Sequence, residues 1–151
     1  MKNIFSWLIV LVWLIIIFLL SNMPQKESSD KSRLLLDTSI NIINKINNNN
    51  LINNKYIVNK LHKPFRKLMH IFVYFILSIL LLIALNKYKK YNIYLITIIL
   101  CILYATSDEY HQTIVLDRCG RLLDVLIDSI GIFMGCIIYY IHSYIKSLHK
   151  L

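Results

Sequence analysis

Most of the short signatures that announce a soluble enzyme are missing from this chain of 151 residues. It has no nucleophile elbow, no phosphate-cradling glycine loop and no HExxH pair, so no local motif favours an enzyme. Cysteine is down to three residues, Cys101, Cys119 and Cys136, with no CxxC pair, which argues against a disulfide scaffold or a cysteine-held zinc site. No comparable His spacing points to a metal, and neither a metal nor another cofactor is expected. Only 3 Gly and 2 Pro break up the chain, and no internal repeat is visible.

What fills the space is grease. Apolar residues make up 57% of the sequence, above the usual soluble range. They fall in four blocks: Ile4 to Leu20, Leu68 to Leu85, Asn92 to Ala105 and Val125 to Ile141. Each is near the ~20 residues that a helix needs to cross a ~30 Å hydrocarbon layer, although the third is short and needs its polar flanks to make up length. A soluble four-helix bundle is the alternative, but "IFSWLIVLVWLIIIFLL" has no polar face to give to water. A cleaved leader is also disfavoured, because the first apolar run exceeds a ~7 to 15 residue signal core and "SNMPQ" offers no small-x-small site. The expected fold is an all-α integral membrane protein, a single membrane domain over 1–151. Its four transmembrane helices cover about 4–21, 67–85, 91–107 and 122–142, with a long first loop over 22–66.

The formal net charge is +9, with basic residues in every loop rather than along one soluble helix. That pattern points to anionic lipid headgroups rather than nucleic acid. An even number of spans puts both termini on the side of the link "NKYKKYN", whose Lys87, Lys89 and Lys90 meet no acid. The positive-inside rule then places termini and link in the cytoplasm; Lys63 and Lys67 of the first loop argue the other way. Within that loop Ser28, Ser29 or Asp30 is placed to cap a helix whose apolar positions Leu36, Ile40, Ile43 and Ile46 recur at helical spacing, an amphipathic helix on the membrane surface. "NKINNNNLINNK" reads as a link, and "LHKPFRKLMH" restarts a helix with Pro64 at its first position.

Five of the eight carboxylates, Asp108, Glu109, Asp117, Asp124 and Asp128, crowd into the stretch "ATSDEYHQTIVLDRCGRLLDVLID", where a membrane should begin. With four spans, this stretch shares one membrane face with the start of the second span and with Ser21 and Asn22. Helical spacing puts Arg66, His70 and Tyr74 on one side of the second span and, if the third span's helix continues that far, Tyr104, Ser107, Asp108 and His111 on one side of it. Arg121, Asp124, Asp128, Gly131 and Gly135 form a third stripe, down the last span. Ionisable groups at membrane depth face the bundle interior, pair with one another or line a wet cavity, so three stripes opening on one face imply one shared site. It reads as a polar clamp between helices, as an acid/base centre around His70, Asp108 and His111, or as a pocket in which Arg66, Lys67 and Arg118 grip phosphate or carboxylate. Gly131 and Gly135 suit close helix packing.

The blocks "RKLMHIFVYFIL", "YATSDEYHQ" and "DRCGRLLDVLIDSIGIFMG", with "LLSNMPQKESS" after the first span, resemble VanZ-like membrane proteins over nearly the whole chain. The resemblance implies a bacterial multi-pass protein of the cytoplasmic membrane, in a family named for an accessory factor in low-level teicoplanin resistance. It points to Arg66, Lys67, His70 and Tyr74 in the first block and to Ser107, Asp108, Glu109, His111 and Gln112 in the second. In the third it points to Arg118, Gly120, Asp124, Asp128 and Gly131. The sequence departs from the family pattern at Met69, at Val73, where a glutamate is frequent, and at Asp117, a usual glycine position. The expected function is an outward-facing polar pocket that engages membrane lipid, a lipid-linked cell-wall precursor or a lipoglycopeptide. A membrane-embedded enzyme acting on a lipid headgroup and a helix-packing partner of another envelope protein are the alternatives.

Overall fold

The computed structural model describes residues 2–47, 55–86, 88, 92–115 and 120–148. These residues form five α-helices and, among the described residues, no strand: α1 (Lys2–Ser21), α2 (Gln25–Asn47), α3 (Lys55–Leu85), α4 (Ile93–Gln112) and α5 (Leu122–Leu148). Four of them, α1, α3, α4 and α5, are long and apolar enough to cross a membrane. The outer surface of α1 agrees with a lipid surround: Ile4, Leu8, Leu11, Val12, Ile15 and Leu19 are all exposed, which water would penalise.

The hub is α3, which packs on α1, α2, α4 and, most extensively, α5. Its inward stripe of Tyr74, Leu77, Leu81 and Ala84 meets Val10 and Ile17 of α1, Cys101 and Ala105 of α4, and Val125 and Ile132 of α5. The seam with α5 is close because two positions lack a side chain. A Cβ on Gly131 would collide with the Ile71 carbonyl oxygen, and one on Gly135 with Ser78 Oγ, its next neighbour being the Phe75 carbonyl at 2.9 Å. Small residues that admit a facing backbone are what apolar surroundings need, since lipid supplies no hydrophobic drive between helices. Two polar tips are satisfied across the bundle: Trp13 Nε1 donates to the Val73 carbonyl at 3.1 Å, and Tyr104 Oη to the Leu14 carbonyl at 2.7 Å.

Several boundaries differ from the sequence expectation. The first-loop helix begins at Gln25, with the Ser28 N–H already donating to the Pro24 carbonyl at 3.0 Å. Ser28, Ser29 and Asp30 therefore lie inside its first turns and do not cap it. Leu36 and Ile40 are buried, whereas Ile43 and Ile46 stay exposed. Pro64 does not start a helix: α3 begins nine residues earlier, at Lys55, and runs through the proline. Pro64 has no N–H to give to the carbonyl one turn back, so α3 carries a gap in its ladder there. The helix is held on that side by α2, where Ser32 Oγ and His62 Nε2 lie 2.7 Å apart. Asn92, expected inside the third apolar block, is instead the N-cap of α4, its Oδ1 accepting from the Leu95 N–H at 3.2 Å. At its other end α4 reaches Gln112, past the expected end near 107. Most of the polar tract that links Asn47 to Lys55 lies outside the described residues.

Candidate functional site

Because α4 continues to Gln112, its carboxylates ride on a helix rather than in a loop, and three of its last five residues, Asp108, Glu109 and Gln112, are buried. Gln112 Nε2 donates to Asp108 Oδ2 at 3.0 Å and to Glu109 Oε1 at 3.2 Å, so one amide bridges both acids. Glu109 Oε2 accepts the backbone N–H of Arg121 at 3.0 Å, immediately before α5 begins. A carboxylate there satisfies a free helix N–H and meets the positive end of the helix dipole. Gly120 makes this approach possible, because a Cβ on it would collide with the Glu109 carbonyl oxygen.

Beneath this junction sits Asp128, wholly buried at 0% exposure. Among the described residues neither of its oxygens has a hydrogen-bond partner, and the nearest basic group is His70 Nδ1, 3.6 Å from Oδ1. One ligand-capable atom from each of His70, Glu109 and Asp128 lies within 4.8 Å of the other two. No linear spacing displays that grouping, since each residue comes from a different helix.

Two cavities meet at this point. The larger, about 490 Å³, is polar. Gln25, Ser29 and Arg33 of α2 line it, with His62, Lys63, Arg66, Lys67 and His70 of α3, Glu109 and Gln112 of α4, and Arg121, Asp124 and Asp128 at the start of α5. Arg33, Lys63, Lys67 and Arg121 are exposed, whereas Glu109 and Asp128 are buried, so a basic rim surrounds an acidic floor. The smaller cavity, about 140 Å³, is chiefly apolar, lined by Ile17, Leu20, Met23, Leu35, Met69, Val73 and Tyr74, with Asp108 among its polar groups. Arg66 and His70 line both.

The structure thus brings together Arg66, Lys67, His70, Glu109, Gln112, Asp124 and Asp128 at one cavity and Tyr74 and Asp108 at its neighbour. Two expected members lie elsewhere. Ser107 is exposed, and His111 lines neither cavity; its ring packs 5.0 Å from that of Phe18, with Nε2 3.4 Å from Asn22 Oδ1 on the α1 side. Arg118 and Asp117 lie outside the described residues. Sequence reasoning missed the contribution of α2 and of the first turns of α3. The signal was there: Gln25, Ser29 and Arg33 recur every fourth residue, the polar counterpart of the Leu36 and Ile40 stripe.

With this geometry in view, the match between the VanZ/LLP1 family model and residues 5–143 decides the family. The chain belongs to the VanZ/LLP1 family. The matched segment runs from Phe5 of α1 to Ser143 of α5, through all four candidate spans, and includes every residue that lines the two cavities. No curated protein and no solved structure matches the chain.

Proposed function

We propose that this VanZ-like envelope protein holds an amphiphile, with an anionic headgroup in the polar cavity and part of an apolar tail in the smaller one, in a site that opens away from the cytoplasm. The ligand class is a lipid-linked cell-wall precursor or a lipoglycopeptide such as teicoplanin, and holding it is how the protein would contribute to glycopeptide resistance. One observation carries this reading: a basic-rimmed polar cavity and an apolar one share Arg66 and His70 as common walls. A purely structural clamp between helices needs neither a rim of exposed cations nor a cavity.

The direct test is titration of the protein in nanodiscs with undecaprenyl phosphate and with a neutral lipid. Arg66→Ala should weaken the anionic lipid about tenfold or more, since a hydrogen bond to a charged group contributes ~1.5 to 3 kcal/mol. Added salt should weaken that lipid alone. Equal affinity of Arg66→Ala and the parent would overturn the pocket. Arg118 remains part of the proposal, so Asp117→Gly, which removes a neighbouring carboxylate, should strengthen binding by at most about fivefold in the same titration. The resistance role is tested by the teicoplanin concentration needed to inhibit a susceptible host that expresses the parent or Arg66→Ala.

A second reading, a membrane-embedded acid/base enzyme acting on a lipid headgroup, is favoured by the placement of His70 Nδ1 3.6 Å from Asp128 beside the polar cavity. His70 and Asp128 replace His111 and Asp108 as its acid/base pair. Mass change of undecaprenyl phosphate or of phosphatidylglycerol on incubation with the parent, abolished in His70→Gln, would establish it.

A further inference from the structure

We propose that His70, Glu109 and Asp128 form a binding site for one divalent cation of the manganese to zinc class. Asp128 carries most of the weight. It is 0% exposed, and among the described residues no lysine or arginine pairs with it and neither oxygen has a hydrogen-bond partner. Burying a carboxylate with so little compensation is costly, and a cation offsets that cost directly. Arg66 and Arg121 line the same cavity, yet neither guanidinium forms an ion pair with the Asp128 carboxylate.

Geometry and donor chemistry fit the same conclusion. The three ligand atoms lie within 4.8 Å of one another. Bonds of roughly 2.0 to 2.2 Å hold ligand atoms no more than about 4.4 Å apart, so the triad needs to draw in by only a few tenths of an ångström. One imidazole nitrogen with two carboxylates suits manganese, iron or zinc better than calcium or magnesium, which take oxygen alone. Glu109 is already oriented by Gln112 and by the Arg121 N–H, the kind of outer contact that fixes a metal ligand. Three protein ligands leave coordination positions free, and these face the polar cavity. Only the ion's contact with an anionic headgroup rests on the amphiphile reading; the cation site stands without it.

The test uses tag-free protein in nanodiscs of neutral lipid, stripped with EDTA and titrated with Mn²⁺ by equilibrium dialysis. The expected result is one equivalent bound, with electron spin-echo modulation from a directly bound imidazole nitrogen that disappears in His70→Gln. Losing an outer partner weakens metal binding about 10- to 100-fold, so Asp128→Asn should cost about tenfold or more. His142→Gln, exposed at the far end of α5, should bind like the parent. Less than a tenth of an equivalent in the parent (~0.1 Mn²⁺ per chain), no nitrogen coupling, or parent-like binding by Asp128→Asn would each overturn the site. Should Asp128→Asn fail to fold, the parent's stoichiometry and its nitrogen signal still decide. One bound equivalent without affinity for undecaprenyl phosphate would sustain the cation site and sink the pocket reading; the opposite pair of results would sink the cation site alone.

Discussion

Glu109 ties two helices together with a single carboxylate. One oxygen takes the Arg121 N–H ahead of α5, and the other takes the Gln112 amide from its own helix. Replacing it by alanine leaves the part-buried Arg121 N–H without this acceptor and the Gln112 amide with Asp108 alone, a loss of about 1 to 3 kcal/mol. The effect should be local. In Glu109→Ala, amide hydrogen exchange at Arg121 to Asp124 should quicken while the middle of α5 stays protected. Unchanged exchange there would mean that the junction is held by something else. The residue scale is also where the sequence was least legible. His111 and Ser107 sit within the same signature block as Asp108 and Glu109, but a helix turns about 100° per residue, so neighbours in sequence face different partners. Helical spacing put Ser107, Asp108 and His111 on one side provided that the third helix ran that far; α4 does reach Gln112, yet Asp108 is buried while Ser107 is exposed and His111 packs on Phe18.

At the scale of elements, periodicity was a better guide. Arg66, His70 and Tyr74 do share a wall, and Asp124, Asp128, Gly131 and Gly135 do run down the inner side of α5. What misled was punctuation. Serines before an apolar run and a proline after a polar tract are ordinary start signals, yet Pro24 already opens α2 and packing against α2 carries α3 through Pro64. At Pro64 tertiary contact overrode local preference, whereas at Pro24 an earlier local start signal pre-empted the serines. The α3–α5 seam supports a graded prediction. Gly131→Ala drives a methyl into backbone that cannot rotate away, so thermal melting in detergent should show a loss of about 1 to 3 kcal/mol. Gly135→Ala should lose less, since its closest clash is with the Ser78 hydroxyl, the end of a side chain that can turn. Equal stability of Gly131→Ala and the parent would show that the two helices do not approach as closely as described.

For the whole molecule, the open question is which side of the membrane the site faces, and the helices give a ruler for it. At one end Tyr94 meets Tyr139 and Tyr140 edge-on, with ring centroids 6.5 and 6.0 Å apart. Tyrosines gather at membrane–water interfaces, so this group marks one edge of the hydrocarbon layer. From Tyr94 to Asp108 along α4 is roughly 21 Å, and from Tyr140 back to Asp128 along α5 roughly 18 Å, at 1.5 Å per residue. A hydrocarbon core is about 30 Å thick, so with the tyrosines at one edge both acids would fall short of the other, and the proposed site would open from that side. The proposal of an outward-facing site takes the tyrosine end as the cytoplasmic one, because the lysine-rich sequence that joins α3 to α4 follows the positive-inside rule there. In a background without native cysteine, a single cysteine at Ile114, 71% exposed beside the site, should therefore react with a membrane-impermeant maleimide on intact cells. One at Tyr88, 46% exposed in the link, should react only after permeabilisation. The cysteine at Ser147, exposed near the end of α5, should behave like the one at Tyr88, because an even number of crossings returns the chain to the same side. The reverse pattern would turn the cavity toward the cytoplasm and remove any ligand presented from outside. It would leave the cation site intact, because the positions of His70, Glu109 and Asp128 relative to one another do not depend on which way the bundle is inserted.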